Sequence, residues 1–268
     1  MANGYFLTVG VNRITGSYAQ AETLRGAVND AKSVAALASR AGFQEEGVLL
    51  DGHAAKDAVV STIKKVAGKM TGEDLFLLHY SGHGMLTNGT AAAGNPRAGN
   101  SAWCLPDEPL LDNELFDLWF SFAPGARVLV LSDSCHSGSA IKDQILPRRL
   151  DERAVRKSRA SHPQLYARLE ARSAEIARDR GSTVPQAGIL LLSACTDEQT
   201  AGDLSDHGVF TKALLQVWNN GAFQGEDYGD LHEQVAGLSA AYQQDPQLYP
   251  IGSSEVHANF MTDRPFQV

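Results

Sequence analysis

Asp74-Leu75-Phe76-Leu77-Leu78-His79-Tyr80-Ser81-Gly82-His83-Gly84 is an apolar run that breaks off into a glycine-bounded histidine motif. A stretch that is apolar at nearly every position, instead of at alternate ones, suits a central strand covered on both faces of its sheet. A second stretch repeats the pattern: Arg127-Val128-Leu129-Val130-Leu131-Ser132 runs straight into Asp133-Ser134-Cys135-His136-Ser137-Gly138. Two such strands, adjacent and parallel, would bring both polar motifs to the carboxyl edge of the sheet, where open α/β sheets gather their ligands.

Around these runs, strands alternate with helices. Residues 5–11, 48–50, 188–194 and 248–251 read as further strands. Residues 22–41 carry Leu24, Ala27, Ala31, Val34 and Ala38 at three- and four-residue steps with Gly42 behind them, which predicts an amphipathic helix. Helices are also predicted over 56–70, over 113–122 with Asp112 as N-cap, and over 209–219 and 231–242. Residues 88–100, rich in Gly, Ala and Asn, read as a loop or open hairpin. The alternation predicts an α/β fold, a mostly parallel sheet flanked by helices on both faces. One domain is expected over residues 1–268. From Lys142 to Arg180 lie eleven of the chain's 23 basic residues, with Pro147 and Pro163 and only weak helical periodicity around Leu165, Leu169 and Ile176. The plain reading is a solvated, partly helical insertion; the sharper one is a protease-sensitive linker.

Composition narrows the function classes. A hydrophobic fraction of 43 % is enough for a full core. A net charge of −8 argues against nucleic acid as a partner. No apolar run approaches the roughly 18 residues a membrane span needs. The first residues lack a basic segment followed by an apolar one, so no signal peptide is expected. Cys104, Cys135 and Cys195 have no C-x-x-C spacing, which argues against a disulfide framework and a zinc ribbon. Reduced thiols and a cytoplasmic location are expected.

Thiolate catalysis needs a cysteine, a base and donors for an oxyanion. Cys135 and His83 each follow a separate apolar strand by a few residues. A buried structural thiol is the commoner fate of a cysteine, but Asp133, Ser134, His136 and Ser137 make polar company for one. Cys104 and Cys195 read as core thiols. The plain reading of His83 is a histidine holding a turn, and that of His79 is a packed strand residue. His79 and His83 are four apart, yet H-x-x-x-H here lacks the glutamate and the helix of a zinc peptidase, so no metal is assigned.

Tyr80-Ser81-Gly82-His83-Gly84 and Asp133-Ser134-Cys135-His136-Ser137-Gly138 resemble the two catalytic blocks of metacaspases and their bacterial relatives, the orthocaspases. Leu24-Arg25-Gly26-Ala27-Val28-Asn29-Asp30-Ala31, the block 193–201 and Gly208-Val209-Phe210-Thr211 resemble further segments of that family in the same order. The resemblance implies a caspase-like fold with a six-stranded sheet, five strands parallel. It implies a large-subunit-like half (1–141), a basic linker (142–184) and a small-subunit-like half (185–268). It implies a cysteine endopeptidase in which His83 activates Cys135 and the N–H groups of Gly84 and Cys135 hold the oxyanion. By resemblance, Asp30, Ser81 and Asp133 would line an acidic S1 pocket selecting Arg or Lys at P1, because a buried guanidinium needs charged partners. The plain readings are a solvated helix residue for Asp30, a turn hydroxyl for Ser81 and a turn former for Asp133.

The sequence also departs from the family. Ala27 stands where many relatives have a cysteine. Relatives are often activated by calcium, but Asp107, Glu108, Asp112, Glu114 and Asp143 match their acidic residues only loosely, with Asn113 where an Asp is common. The chemistry is therefore expected to need no cofactor, Ca2+ activation being the alternative. Basic P1 specificity and an arginine-rich linker suggest self-processing after Arg148, Arg149 or Arg153. The expected partners are protein or peptide substrates with a basic P1 residue, and the enzyme is expected to be a monomer. The competing reading is a catalytically idle caspase-like module acting as an interaction switch. A nucleotide-binding α/β domain ranks below it for want of a phosphate-binding glycine loop.

Overall fold

The computed structural model describes residues 2–87, 101–134, 146–195 and 201–268. The predicted loop at 88–100 lies outside them. Six strands form the central sheet: β1 (Gly4–Gly10), β2 (Gln44–Leu50), β3 (Leu75–Ser81), β7 (Arg127–Asp133), β9 (Gly188–Ser193) and β11 (Gln247–Gly252). Their order is β11-β9-β7-β3-β1-β2. All pairings are parallel except that of the edge strand β11 with β9. This is the expected six-stranded caspase-like α/β sheet.

Alternate residues of the central strands feed two cores. Phe6, Leu77, Leu129 and Leu190 pack with α1 (Ala27–Arg40), α6 (Val209–Trp218), α7 (Tyr228–Ser239) and α8 (Ser254–Met261). Leu7, Phe76, Leu78 and Val130 pack on the other face with α2 (Lys56–Ala67) and α3 (Asp112–Trp119). Covering on both faces is why β3 and β7 carry no polar alternation until their last residues.

Several boundaries differ from expectation. α1 begins at Ala27, not at residue 22, because Leu24 N–H donates to Asn12 O and the next two amides donate to Asp203. Asp112 is the first residue of α3 and does not cap it; Glu114 reaches back to the Leu111 N–H at 3.0 Å. A small antiparallel sheet of β4 (Gly84–Leu86), β5 (Ser101–Cys104) and β6 (Pro109–Leu111) was not legible, its strands being three or four residues long.

The basic stretch holds the short strand β8 (Leu146–Pro147) and two helices, α4 (Glu152–Ser161) and α5 (Pro163–Arg180). They are docked by a third apolar cluster, in which Leu150, Val155, Tyr166 and Leu169 meet Tyr18, Met85 and Ala102. The apolar positions are too sparse to announce themselves in so polar a sequence. Arg172 and Arg180 both pair with Asp117 on α3, at 3.0 and 2.7 Å. Among the described residues no helix is long and apolar enough to cross a membrane.

Candidate active site

β3 and β7 pair with Ser81 opposite Asp133, so both motif-bearing ends stop at one level. Cys135 directly follows the described Ser134 and itself lies outside the described residues, as do Asp143 and residues 196–200. Ser81 turns toward α1, where its Oγ donates to Asp30 Oδ2 at 2.7 Å. Asp133, at the end of β7, accepts on Oδ2 from Thr211 N–H at 2.9 Å and Thr211 Oγ1 at 2.7 Å. Asp30, Ser81 and Asp133 thus meet at the carboxyl edge, and all three are fully buried.

A cation from the chain itself fills the space between them. Arg148, just past β8, is fully buried. Its Nη2 donates to Asp30 Oδ2 and to Asp203 Oδ1, each at 2.7 Å. Its Nη1 donates to Ser81 Oγ at 2.5 Å and to Asp133 O at 3.1 Å, and lies 3.2 Å from Asp133 Oδ1. The backbone is engaged as well. Arg148 N–H donates to Ala201 O at 2.9 Å, and Gly84 N–H donates to Arg148 O at 3.0 Å. One residue beyond Arg149, Leu150 N–H donates to Gly84 O at 2.9 Å. β8 runs antiparallel to β10 (Gly202–Asp203). The segment 146–150 therefore lies along the sheet edge with an arginine in an acidic pocket and that arginine's carbonyl on Gly84. Arg149 is half-buried and Arg153 is exposed on α4.

Charge explains the pocket's protonation states. Burial works to raise the Asp30 carboxyl, but Arg148 and the hydrogen bonds from His207 and Ser81 outweigh it and hold it at about 2. Asp133 is raised to about 6, chiefly by burial, with Arg148 opposing and the neighbouring Asp30 adding to the shift. Burial disfavours the Arg148 charge, and Asp133, Asp30 and Asp203 together keep it firmly charged.

His83 is 2 % exposed. Its Nε2 lies 2.7 Å from Glu22 O. A carbonyl only accepts, so Nε2 carries the proton and the neutral ring presents Nδ1 as an acceptor. Nδ1 is buried without a partner among the described residues. Burial lowers this histidine to about 4, despite the hydrogen bond to Glu22, so the ring is neutral at pH 7. Its carbonyl is fixed by Tyr80 Oη at 2.7 Å and by Cys104 N–H at 2.9 Å. His79 is packed inside β3, fully buried, and also lowered to about 4, chiefly by burial.

Of the acidic residues considered for calcium, Asp107, Glu108 and Glu114 have partners within the chain. Asp107 accepts from Lys56 N–H at 2.9 Å. Lys56 Nζ lies 3.4 Å from Glu108 and 2.8 Å from Glu114, and Glu108 also meets Arg168.

Four contributors were not assigned from the sequence: Asp203, His207, Gly208 and the Glu22 carbonyl. His207 Nδ1 lies 2.8 Å from Asp30 Oδ1. The Gly208 N–H reaches both Asp30 oxygens at 3.1 Å. Gly208 has no alternative side chain: a Cβ there would lie 2.3 Å from Asp133 Oδ2 and 2.6 Å from Arg148 Cζ. In the sequence Asp203 is one acid in a stretch predicted to be neither strand nor helix. A backbone carbonyl leaves no signal at all.

Known proteins resemble the chain in sequence and in fold. The family model described as the caspase domain matches residues 8–256. Metacaspase-3 of Trypanosoma cruzi is 28 % identical over 223 residues, covering 76 % of this chain and 55 % of that protein. Metacaspase-1 of Eremothecium gossypii is 26 % identical, covering 95 % of this chain and 65 % of its own length. The chain thus spans less than two thirds of either relative. Among solved structures, a Geobacter sulfurreducens protein superposes with a TM-score of 0.84 at 30 % identity over 99 % of both chains. Caspase-1 of Spodoptera frugiperda, at 12 % identity, shares the fold with a TM-score of 0.57 over 92 % of this chain and 86 % of its own.

Proposed function

The chain belongs to the caspase domain family, and from that membership we propose that it is a cysteine endopeptidase with a Cys135–His83 dyad. It cuts after Arg or Lys and processes itself at the Arg148–Arg149 bond. The observation that carries the reading is Arg148, whose guanidinium is enclosed by Asp30, Ser81, Asp133 and Asp203 while its carbonyl accepts from Gly84 N–H. That is the posture of a P1 residue. It favours Arg148 over Arg149 and Arg153 as the bond donor.

In the proposed mechanism His83 Nδ1 takes the Cys135 thiol proton and the thiolate attacks the P1 carbonyl carbon. The oxyanion is held by the N–H groups of Gly84 and Cys135. The Arg149 amine leaves with the proton from His83, and water then hydrolyses the thioester. The Glu22 carbonyl fixes the tautomer that makes Nδ1 the base. In the uncut chain Arg148 fills the pocket, so peptides compete with it. The reading includes a cytoplasmic, monomeric enzyme that needs no cofactor.

Intact mass of wild type and Cys135→Ala after incubation tests it. The expected result is fragments ending at Arg148 and beginning at Arg149 in wild type only. Fluorogenic peptides with Arg or Asp at P1 follow, with cleavage expected after Arg alone. An uncut wild type that also leaves basic peptides intact would sink the reading and favour the idle interaction module.

A further inference from the structure

We infer that Asp203 is a specificity-determining residue, the one through which this pocket tells arginine from lysine. The inference deepens the reading above and rests on it. Asp203 comes from β10, in the half of the chain beyond the linker, and is 2 % exposed.

The two terminal nitrogens of Arg148 are met by two separate sets of acceptors. Nη1 faces Ser81 Oγ and Asp133, while Nη2 faces Asp30 Oδ2 and Asp203 Oδ1. Asp203 is held in advance of any substrate side chain. Its Oδ2 accepts from Arg25 N–H at 2.7 Å and its Oδ1 from Gly26 N–H at 3.0 Å. A planar guanidinium donates from both nitrogens in a fixed fork, and the two acceptor sets match that fork. A lysine offers one nitrogen, placed at the level of the arginine Cζ and so one bond short of both sets.

A lysine that leans toward Ser81 and Asp133 leaves Asp30 and Asp203 as buried like charges with no cation between them. Asp30 retains Ser81 Oγ, His207 Nδ1 and Gly208 N–H as partners. Asp203 retains only the two backbone amides among its described hydrogen bonds. The discrimination against lysine is therefore concentrated at Asp203, and removing its charge relaxes it.

Two peptides ending in Leu-Pro-Arg or Leu-Pro-Lys before the same fluorogenic amide test the inference. Wild type should favour arginine by about tenfold to a hundredfold, the worth of one charge-assisted hydrogen bond. Asp203→Asn removes the charge and keeps an oxygen for one of the two backbone amides. It should lose about that factor on arginine and much less on lysine, through KM more than kcat. Equal turnover of both peptides by wild type, or an unchanged ratio in Asp203→Asn, overturns the inference. Turnover of neither peptide by wild type is instead the failure of the endopeptidase reading, and melting then decides about Asp203. In the Cys135→Ala protein, Arg148→Lys should lower Tm markedly with Asp203 present and little further with Asn at 203. Additive shifts overturn the inference without any turnover being needed.

Discussion

A single missing side chain shapes the pocket floor. Asp133 Oδ2 is pinned by Thr211 and Arg148 is pinned by three carboxylates, so neither can retreat from a new methyl group at Gly208. Gly208→Ala should therefore cut turnover of an arginine peptide by more than about a hundredfold, the scale of a lost charged contact plus a clash. Unchanged turnover would mean that the arginine binds elsewhere. Asp133 makes the pocket pH-sensitive. Its carboxyl titrates at about 6 with Arg148 in place, and protonation removes one attracting charge. KM for arginine peptides should rise as pH falls through that value. Asp133→Asn should be weak at every pH and flatten the profile; a limb that survives the substitution would assign it to another group.

The helix pair α4–α5 shows that a basic, polar stretch can be part of the body. Leu169 is 3 % exposed and belongs to the cluster that docks the pair. Leu169→Ala should cost about 2–5 kcal/mol, as buried leucine truncations do. Arg172→Ala, whose ion pairs are half-exposed, should cost less than about 1 kcal/mol. Urea denaturation of both variants measures the contrast, and equal losses would place the docking in charge instead of packing. Elements also decide what a cut at Arg148 leaves behind. β9 pairs with β7 from Gly188 opposite Arg127 to Ser193 opposite Ser132, and the core around Leu129 and Leu190 spans both halves. The fragments should therefore elute together in native gel filtration and separate only in denaturant. Separation under native conditions would show that the sheet does not outlast the bond.

At the scale of the whole molecule, stability is linked to the arginine in the pocket. Asp30 is depressed to about 2, so the stability it contributes is present above its unfolded value and lost as pH falls through about 2. Removing the cation reverses the sign. In the Cys135→Ala protein, Arg148→Ala leaves Asp30 and Asp133 buried side by side without the cation that opposes their desolvation, and their folded values then rise above their unfolded ones. Stability is then present at low pH and lost as pH rises through those raised values. Arg148→Ala should cost about 3–5 kcal/mol at pH 7, the usual penalty for breaking a buried ion pair, and should recover part of it at pH 5. Thermal melts at both pH values test this, and a loss independent of pH would point to packing instead.

The apolar runs at β3 and β7, and the glycine-bounded motifs they end in, were enough to announce a parallel α/β sheet and to bring His83, Asp133 and Ser81 to one edge. Burial on both faces writes itself into consecutive residues, so it is legible locally. The late start of α1 was not legible, because Leu24 stands in helical step with Ala27 and Ala31 while the amides of Arg25 and Gly26 are drawn to Asp203, 178 and 177 residues away. Arg148 could be named as a candidate for cleavage, but not singled out from Arg149. Its choice rests on Asp30 and Asp203, 118 and 55 residues away. Contacts at such separations follow no periodicity, and the Glu22 carbonyl on His83 belongs to no side chain. Only the folded chain, by enclosing a charge that must then be paired, determined which arginine fills the pocket and which acids hold it.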